Sequence, residues 1–186
     1  WDDFPVPLYN KPYYESCDAL LGISKQTVLI NKLALGEKAK NKIIEYVPHG
    51  INTNVFYPLE KGNEELQKLK DQVYGKDEVD FTLFFNSRNI RRKQIPDTLL
   101  AFKYFLDKLP KEKADKCRLL LHTELVSEHG TNLIAVRDYL FGKDSKNIIF
   151  STSKITPHEL NKIYNLADAQ ILLTSNEGWG LSLTEA

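Results

Sequence analysis

The chain has 186 residues, 42% of them apolar and 27% charged, which suits a folded domain with its own core and excludes a disordered polyelectrolyte. Lysine plus arginine and aspartate plus glutamate each total 25, so the formal net charge is zero; that argues against a protein that coats nucleic acid, and any anion site must be local. No apolar run approaches the ~20 residues that cross a bilayer, and the acidic, aromatic opening at residues 1–5 does not read as a secretory leader. Cys17 and Cys117 stand far apart in the sequence, which favours free buried thiols in a reducing compartment over a disulfide or a metal pair. The expected location is the cytoplasm, free or peripheral to a membrane. There is no methionine, and the last helix has barely begun at Ala186, so the chain is expected to be truncated at both ends.

Proline at position 12 suits a short helical turn over residues 12–16. Residues 19–23 form an apolar strand, and Ser24 is a good N-cap for a helix reaching Leu35, with Val28, Leu29, Leu33 and Leu35 on its inner face. Residues 43–47 are the next strand. They run into Pro48-His49-Gly50-Ile51-Asn52, where Gly50 is expected to supply a tight turn and Phe56 to plug the core. His49 reads as a turn histidine. A charged stretch follows, with a surface helix over 64–73. From Phe81 onward strands and helices alternate: strands at 81–85, 118–122, 147–150 and 169–173, and helices at 96–109, 133–141 and 157–166. Thr156, Pro157 and Glu159 form a strong helix start, with a threonine cap, proline in the first turn and a glutamate reaching back. Such alternation with short links predicts an α/β fold, a Rossmann-like parallel sheet with helices on both faces. Ligands of such sheets sit beyond the C-terminal strand ends.

Three loops fall at those ends. Residues 88–93 carry Arg88, Arg91, Arg92 and Lys93, four cations in six positions, suited to phosphate oxygens. A solvated basic loop is the plain alternative, and a nucleic-acid patch is disfavoured by the absence of interleaved aromatics. Residues 122–130, H-T-E-L-V-S-E-H-G, hold two histidines and two glutamates without a metal-ligand spacing, so a polar loop is preferred to a metal site. The last loop, 175–186, reads S-N-E-G-W-G-L-S-L-T-E-A. An apolar run precedes it and reads as a strand buried on both faces. Gly178, Trp179 and Gly180 form a tight loop, and a helix starting at Leu181 would aim free N–H groups into it, which suits a diphosphate. The plain alternative is a strand-loop-helix with solvated glutamates.

Glu177 and Glu185 make an E-x7-E pair around the glycines, and this pattern resembles retaining GT-B glycosyltransferases, most of all glycosyltransferase family 4. Three further segments resemble the family in the same order. They are the turn at Pro48-His49-Gly50-Ile51-Asn52, an R-x4-K loop at Arg88 and Lys93, and L-x-x-I-Y-N-L-A-D after the capped helix start. Ser87 and Gln94 stand where that loop pattern has glycine. The resemblance implies that residues 1–42 are the tail of an N-terminal acceptor domain and a linker, and that 43–186 are the C-terminal donor-binding domain. It implies a nucleoside-diphosphate sugar as donor, an acceptor that is a glycan, lipid or protein, and no metal or other cofactor. By resemblance Arg88 and Lys93 hold the donor diphosphate with the loop Gly178 to Leu181. Glu185 takes the ribose, Ser153, Lys154 and Ile155 border the base, and Glu177 faces the donor sugar as the catalytic residue. A non-catalytic nucleotide-binding or interaction module of the same fold is the alternative. A GT-B phosphorylase would need a pyridoxal phosphate lysine, for which there is no signature.

Overall fold

The computed structural model describes residues 6–60 and 62–186. The acidic, aromatic opening at residues 1–5 lies outside them. The first elements are two short helices, α1 (Val6–Tyr9) and α2 (Lys11–Ser16), the second with Pro12 in its first turn. Strand β1 (Ala19–Gly22) leads to α3 (Lys25–Leu35), where the Ser24 hydroxyl accepts from the Thr27 N–H at 3.0 Å. A 3-10 turn, Gly36–Asn41, leads to β2 (Ile43–Tyr46), which pairs in parallel with β1. Leu20, Leu35 and Ile44 form a small core, with Tyr14, Val28 and Ala39 against it.

The inner face of α3 differs from the expected one. Leu29 and Leu33 are exposed, while Asn31, Ala34 and Leu35 are buried. The small core sits under Val28 and Leu35, and a helix of 3.6 residues per turn cannot turn Leu29 and Leu33 to the same side as both. Cys17 is exposed and only Cys117 is buried, where desolvation pushes the thiol up; both are unpaired. Gly50 does not take a positive φ, and a Cβ there would meet open space, so the turn at Pro48 does not require glycine.

The remaining elements are α4 (Glu64–Tyr74), β3 (Phe81–Asn86), α5 (Ile95–Asp107), α6 (Lys111–Ala114), β4 (Cys117–His122), α7 (Leu133–Phe141), β5 (Ile148–Ser151), α8 (Pro157–Leu166), β6 (Ala169–Gln170) and α9 (Leu181–Glu185). The four strands form one parallel sheet in the order β5-β4-β3-β6. The fold is therefore the expected α/β arrangement, a parallel sheet with helices on both faces. Alternate side chains sort to two cores. Phe85, Leu119 and Leu121 pack with α5 and α7, whose Leu99, Phe102 and Leu133 are buried. Phe84 and Leu120 pack with Ile163 and Tyr164 of α8, and Phe56 and Leu69 close that side. On α5, Leu100 is half-buried and Phe105 exposed, so the buried stripe is Leu99, Phe102 and Leu106. At the other end of the sheet, Arg118 is 2% exposed; it donates to the Asp115 and Cys117 carbonyls and pairs with Asp77 at 3.2 Å. That satisfies a buried guanidinium and gives it a structural role.

Strand β6 is shorter than expected and lies at the sheet edge. It pairs with β3 only at Leu83 and Phe84, and Ala169 and Leu173 are exposed. It is not buried on both faces. Contacts divide the chain into two units. One runs to Gly50 and includes Asn176–Trp179; the other comprises Ile51–Ser175 and Gly180–Ala186. The first unit ends at Gly50, and its β2 pairs with β1 and not with the four-stranded sheet.

Candidate functional site

The strand order places a crevice where a ligand is expected. From β3 the chain steps through α5 to β4 and through α7 to β5, then crosses by α8 to β6 on the other side of β3. The order reverses at β3 and β6, and in open parallel sheets the crevice beyond such strand ends is the ligand position. The loop after β3 is the basic one, and the loop after β6 leads to the E-x7-E segment.

The basic loop is braced from two sides. Asn89 is fully buried, and its amide nitrogen donates to the carbonyls of Glu124 (3.0 Å) and Thr131 (2.7 Å). Its amide oxygen accepts from the Thr131 N–H at 3.0 Å. The Arg91 N–H donates to the His129 carbonyl at 2.9 Å. On the other side, the Arg92 carbonyl accepts from the Thr174 hydroxyl and the Ser175 N–H, both at 2.9 Å. The backbone between Asn89 and Arg92 is thereby fixed, while the Arg88 side chain is exposed. Nothing in the local sequence marks Asn89 as the residue that ties the loops after β3 and β4 together. The segment read as a histidine- and glutamate-rich loop supplies its backbone to that brace. Among the described residues no group of three or more His, Cys, Asp or Glu is placed to hold a metal ion. His122 sits at the end of β4 with its Nδ1 2.9 Å from the Ser151 hydroxyl, and burial holds it below the usual histidine range.

The loop closes on Gln94, which caps α5 in the left-handed region at φ 43°, ψ 44°. A side chain there costs about 1–2 kcal/mol. Gln94→Gly is therefore expected to raise stability by about 0.5–1 kcal/mol, after the unfolded-chain entropy of glycine is offset against the strain. Urea titration checks this; a loss of stability would show that the glutamine side chain holds the loop.

On the α8 side, a hydrogen-bond relay reaches the second glutamate. Asn86, at the end of β3, donates to the Tyr164 hydroxyl at 3.0 Å, and that hydroxyl donates to Glu185 Oε2 at 2.8 Å. Tyr164 is held edge-on by Phe84 (5.3 Å) and Phe56 (6.0 Å), and desolvation pushes its phenol far above the usual value. Two asparagines one turn apart on α8 build the neighbouring wall. Asn161 and Asn165 accept from the N–H groups of Tyr57 (3.1 Å) and Leu59 (2.7 Å), and both donate to the Tyr57 carbonyl. A pocket of about 260 Å³ is lined by Phe56, Tyr57, Asn161, Tyr164 and Glu185, among others.

The large unit thus carries Arg88, Lys93, Ser153, Lys154, Ile155, Gly180, Leu181 and Glu185. Ser153 and Lys154 are exposed, and Ile155 packs on the Phe84–Leu120 core, which leaves backbone for any contact there. Gly180 caps α9 at φ 86°, and a Cβ would lie 3.3 Å from the Leu172 Cδ2. At five residues, α9 has too short a dipole to hold an anion by itself. Glu177, Gly178 and Trp179 belong to the small unit, where the Trp179 ring meets His49 edge-on at 6.0 Å and Gly178 approaches Ile23. Among the described residues no helix is long and apolar enough to cross a membrane.

No family model matches the sequence, and no curated protein matches it. Solved structures do match. A trehalose-6-phosphate structure from E. coli bound with UDP-2-fluoro glucose aligns over 90% of this chain and 42% of its own, with TM-score 0.68 and 18% identity. A sucrose-phosphate synthase from Thermosynechococcus elongatus aligns over 98% of this chain and 41% of its own, at 0.67 and 17%. The C-terminal domain of a glycosyl transferase group 1 family protein from Francisella tularensis aligns over 74% and 65%, at 0.53 and 22%. The chain spans about two fifths of the length of the first two. Its fold is that of a GT-B glycosyltransferase-like domain.

Proposed function

We propose that this chain is the donor-binding part of a retaining glycosyltransferase of the family 4 type, which moves a sugar from a nucleoside-diphosphate sugar to an acceptor. The observation that carries the reading is the brace at Arg92: the basic loop is hydrogen-bonded to Thr174 and Ser175, which lead directly into the E-x7-E segment, at the strand-order switch. On this reading Arg88 and Lys93 neutralise the diphosphate as it leaves, with N–H groups of the loop Gly178 to Leu181. This is electrostatic stabilisation of developing charge. Glu185 accepts from ribose hydroxyls, the backbone at Ser153, Lys154 and Ile155 borders the base, and Glu177 faces the donor sugar. The four-stranded sheet is then part of the donor half, residues 43–186, and residues 1–42 belong with the acceptor half. The acceptor is a glycan, lipid or protein.

Calorimetry with the variants Arg88→Ala and Lys93→Ala tests the diphosphate assignment. Each is expected to weaken nucleoside-diphosphate binding roughly 10- to 100-fold, the worth of a hydrogen bond to a charged group. Binding of the bare nucleoside should stay within about twofold. Equal losses for both ligands would remove the assignment.

A further inference from the structure

The relay from Asn86 to Glu185 has only one consistent direction. An ionised carboxylate can only accept, so the Tyr164 proton points at Glu185 Oε2. The phenol has no second proton, so Asn86 must present its NH2 rather than its carbonyl. The ring cannot turn away, because Tyr164 is 7% exposed and wedged between Phe84 and Phe56. Glu185 itself stands on a five-residue helix without a side-chain cap, so little else on its own element fixes its rotamer. Occupying Oε2 leaves Oε1 for a ligand.

We propose that Tyr164, itself oriented by Asn86, is the positioning residue that presents the Glu185 carboxylate to the ribose hydroxyls of the donor nucleotide. This rests on the reading of Glu185 given above. Tyr164 touches no reacting atom; it removes rotamers from Glu185 before the ligand arrives, which lowers the ordering cost of binding. The Tyr164 phenol belongs to a buried side chain, where a charge-assisted hydrogen bond is strengthened.

The test uses this chain and whichever of UDP, GDP and ADP it binds most tightly, together with the 2′,3′-dideoxy counterpart. The wild type should prefer the ribonucleotide, and Glu185→Gln should erase that preference. Tyr164→Phe keeps the ring packing and removes only the hydroxyl. It is expected to lower ribonucleotide affinity about tenfold and to leave dideoxynucleotide affinity unchanged. Asn86→Ala, which frees the phenol without deleting it, should give a smaller loss, about threefold, with the same selectivity. It also serves if Tyr164→Phe proves unstable by thermal unfolding. A purely structural role would reduce both ligands alike, and that result, or no loss at all, overturns the proposal. If the wild type shows no preference for the ribonucleotide, if Glu185→Gln retains that preference, or if none of the three nucleotides binds, the ribose reading fails first and the positioning role with it. If Glu185→Gln erases the preference for the ribonucleotide and Tyr164→Phe leaves it intact, only the positioning role is lost.

Discussion

Replacing Asn89 by alanine is expected to cost about 3–5 kcal/mol and to loosen the basic loop. The side chain is fully buried and makes three hydrogen bonds to backbone groups of Glu124 and Thr131. Its removal leaves two carbonyls and one N–H without that partner, each at about 1–3 kcal/mol where water cannot replace the bond. Gly130→Ala approaches the same joint from the other side. A Cβ at Gly130 would lie 2.1 Å from the Asn89 Oδ1 and 2.4 Å from its carbonyl oxygen, so the two loops would have to separate. The backbone oxygen cannot swing aside as a flexible side chain can, and a loss of several kcal/mol is expected here too. Chemical denaturation gives both values. On the proposed reading, weakened nucleoside-diphosphate binding should accompany the destabilisation, because Arg88 adjoins Asn89 in the braced loop. A change below about 1 kcal/mol in both variants would mean that the loops after β3 and β4 are not held by this joint.

Glu177→Gln should lower turnover on the order of 10²–10³-fold while changing affinity for the nucleotide product little, if Glu177 faces the donor sugar. A sugar ring whose bond to phosphate is breaking gains positive charge, and a carboxylate beside it stabilises that state more than the ground state; only such differential stabilisation raises the rate. The neutral amide keeps the shape and removes the charge. Glu185→Gln is the contrasting variant: a ribose contact is the same before and at the transition state, so it should weaken nucleotide and nucleotide sugar alike. The measurement is steady-state transfer by a protein carrying both halves of the fold, with product inhibition as the affinity readout. If Glu177 only shapes the glycine loop, its replacement will lower thermal stability and both kinetic constants together. Unchanged turnover with the fold intact would end its assignment to the sugar.

Signals written among near neighbours in the sequence were legible before any tertiary information. The capping box at Thr156 and Glu159, the Ser24 cap and the apolar runs of β3 and β4 each depend on residues within a turn or a strand of one another. They determined the alternating α/β pattern and the placement of Arg88, Lys93 and Glu185 at loops and a helix start. The resemblance in motif order supplied the candidate roles. Only the tertiary structure decided which strands adjoin, and hence that the order switches at β3 and β6. It also decided that β2 pairs with β1, that β6 is a two-residue edge strand, and that α3 turns Leu29 and Leu33 outward. The polar joints of the site were equally hidden. Asn89 meets Thr131 across 42 residues, Asn86 meets Tyr164 across 78, and Asn161 meets Tyr57 across 104. An asparagine reads as a turn or cap residue in sequence because its local hydrogen bonds are the ones the sequence exposes. Whether it instead satisfies a distant backbone group is settled when packing excludes water and every buried polar group must find a partner.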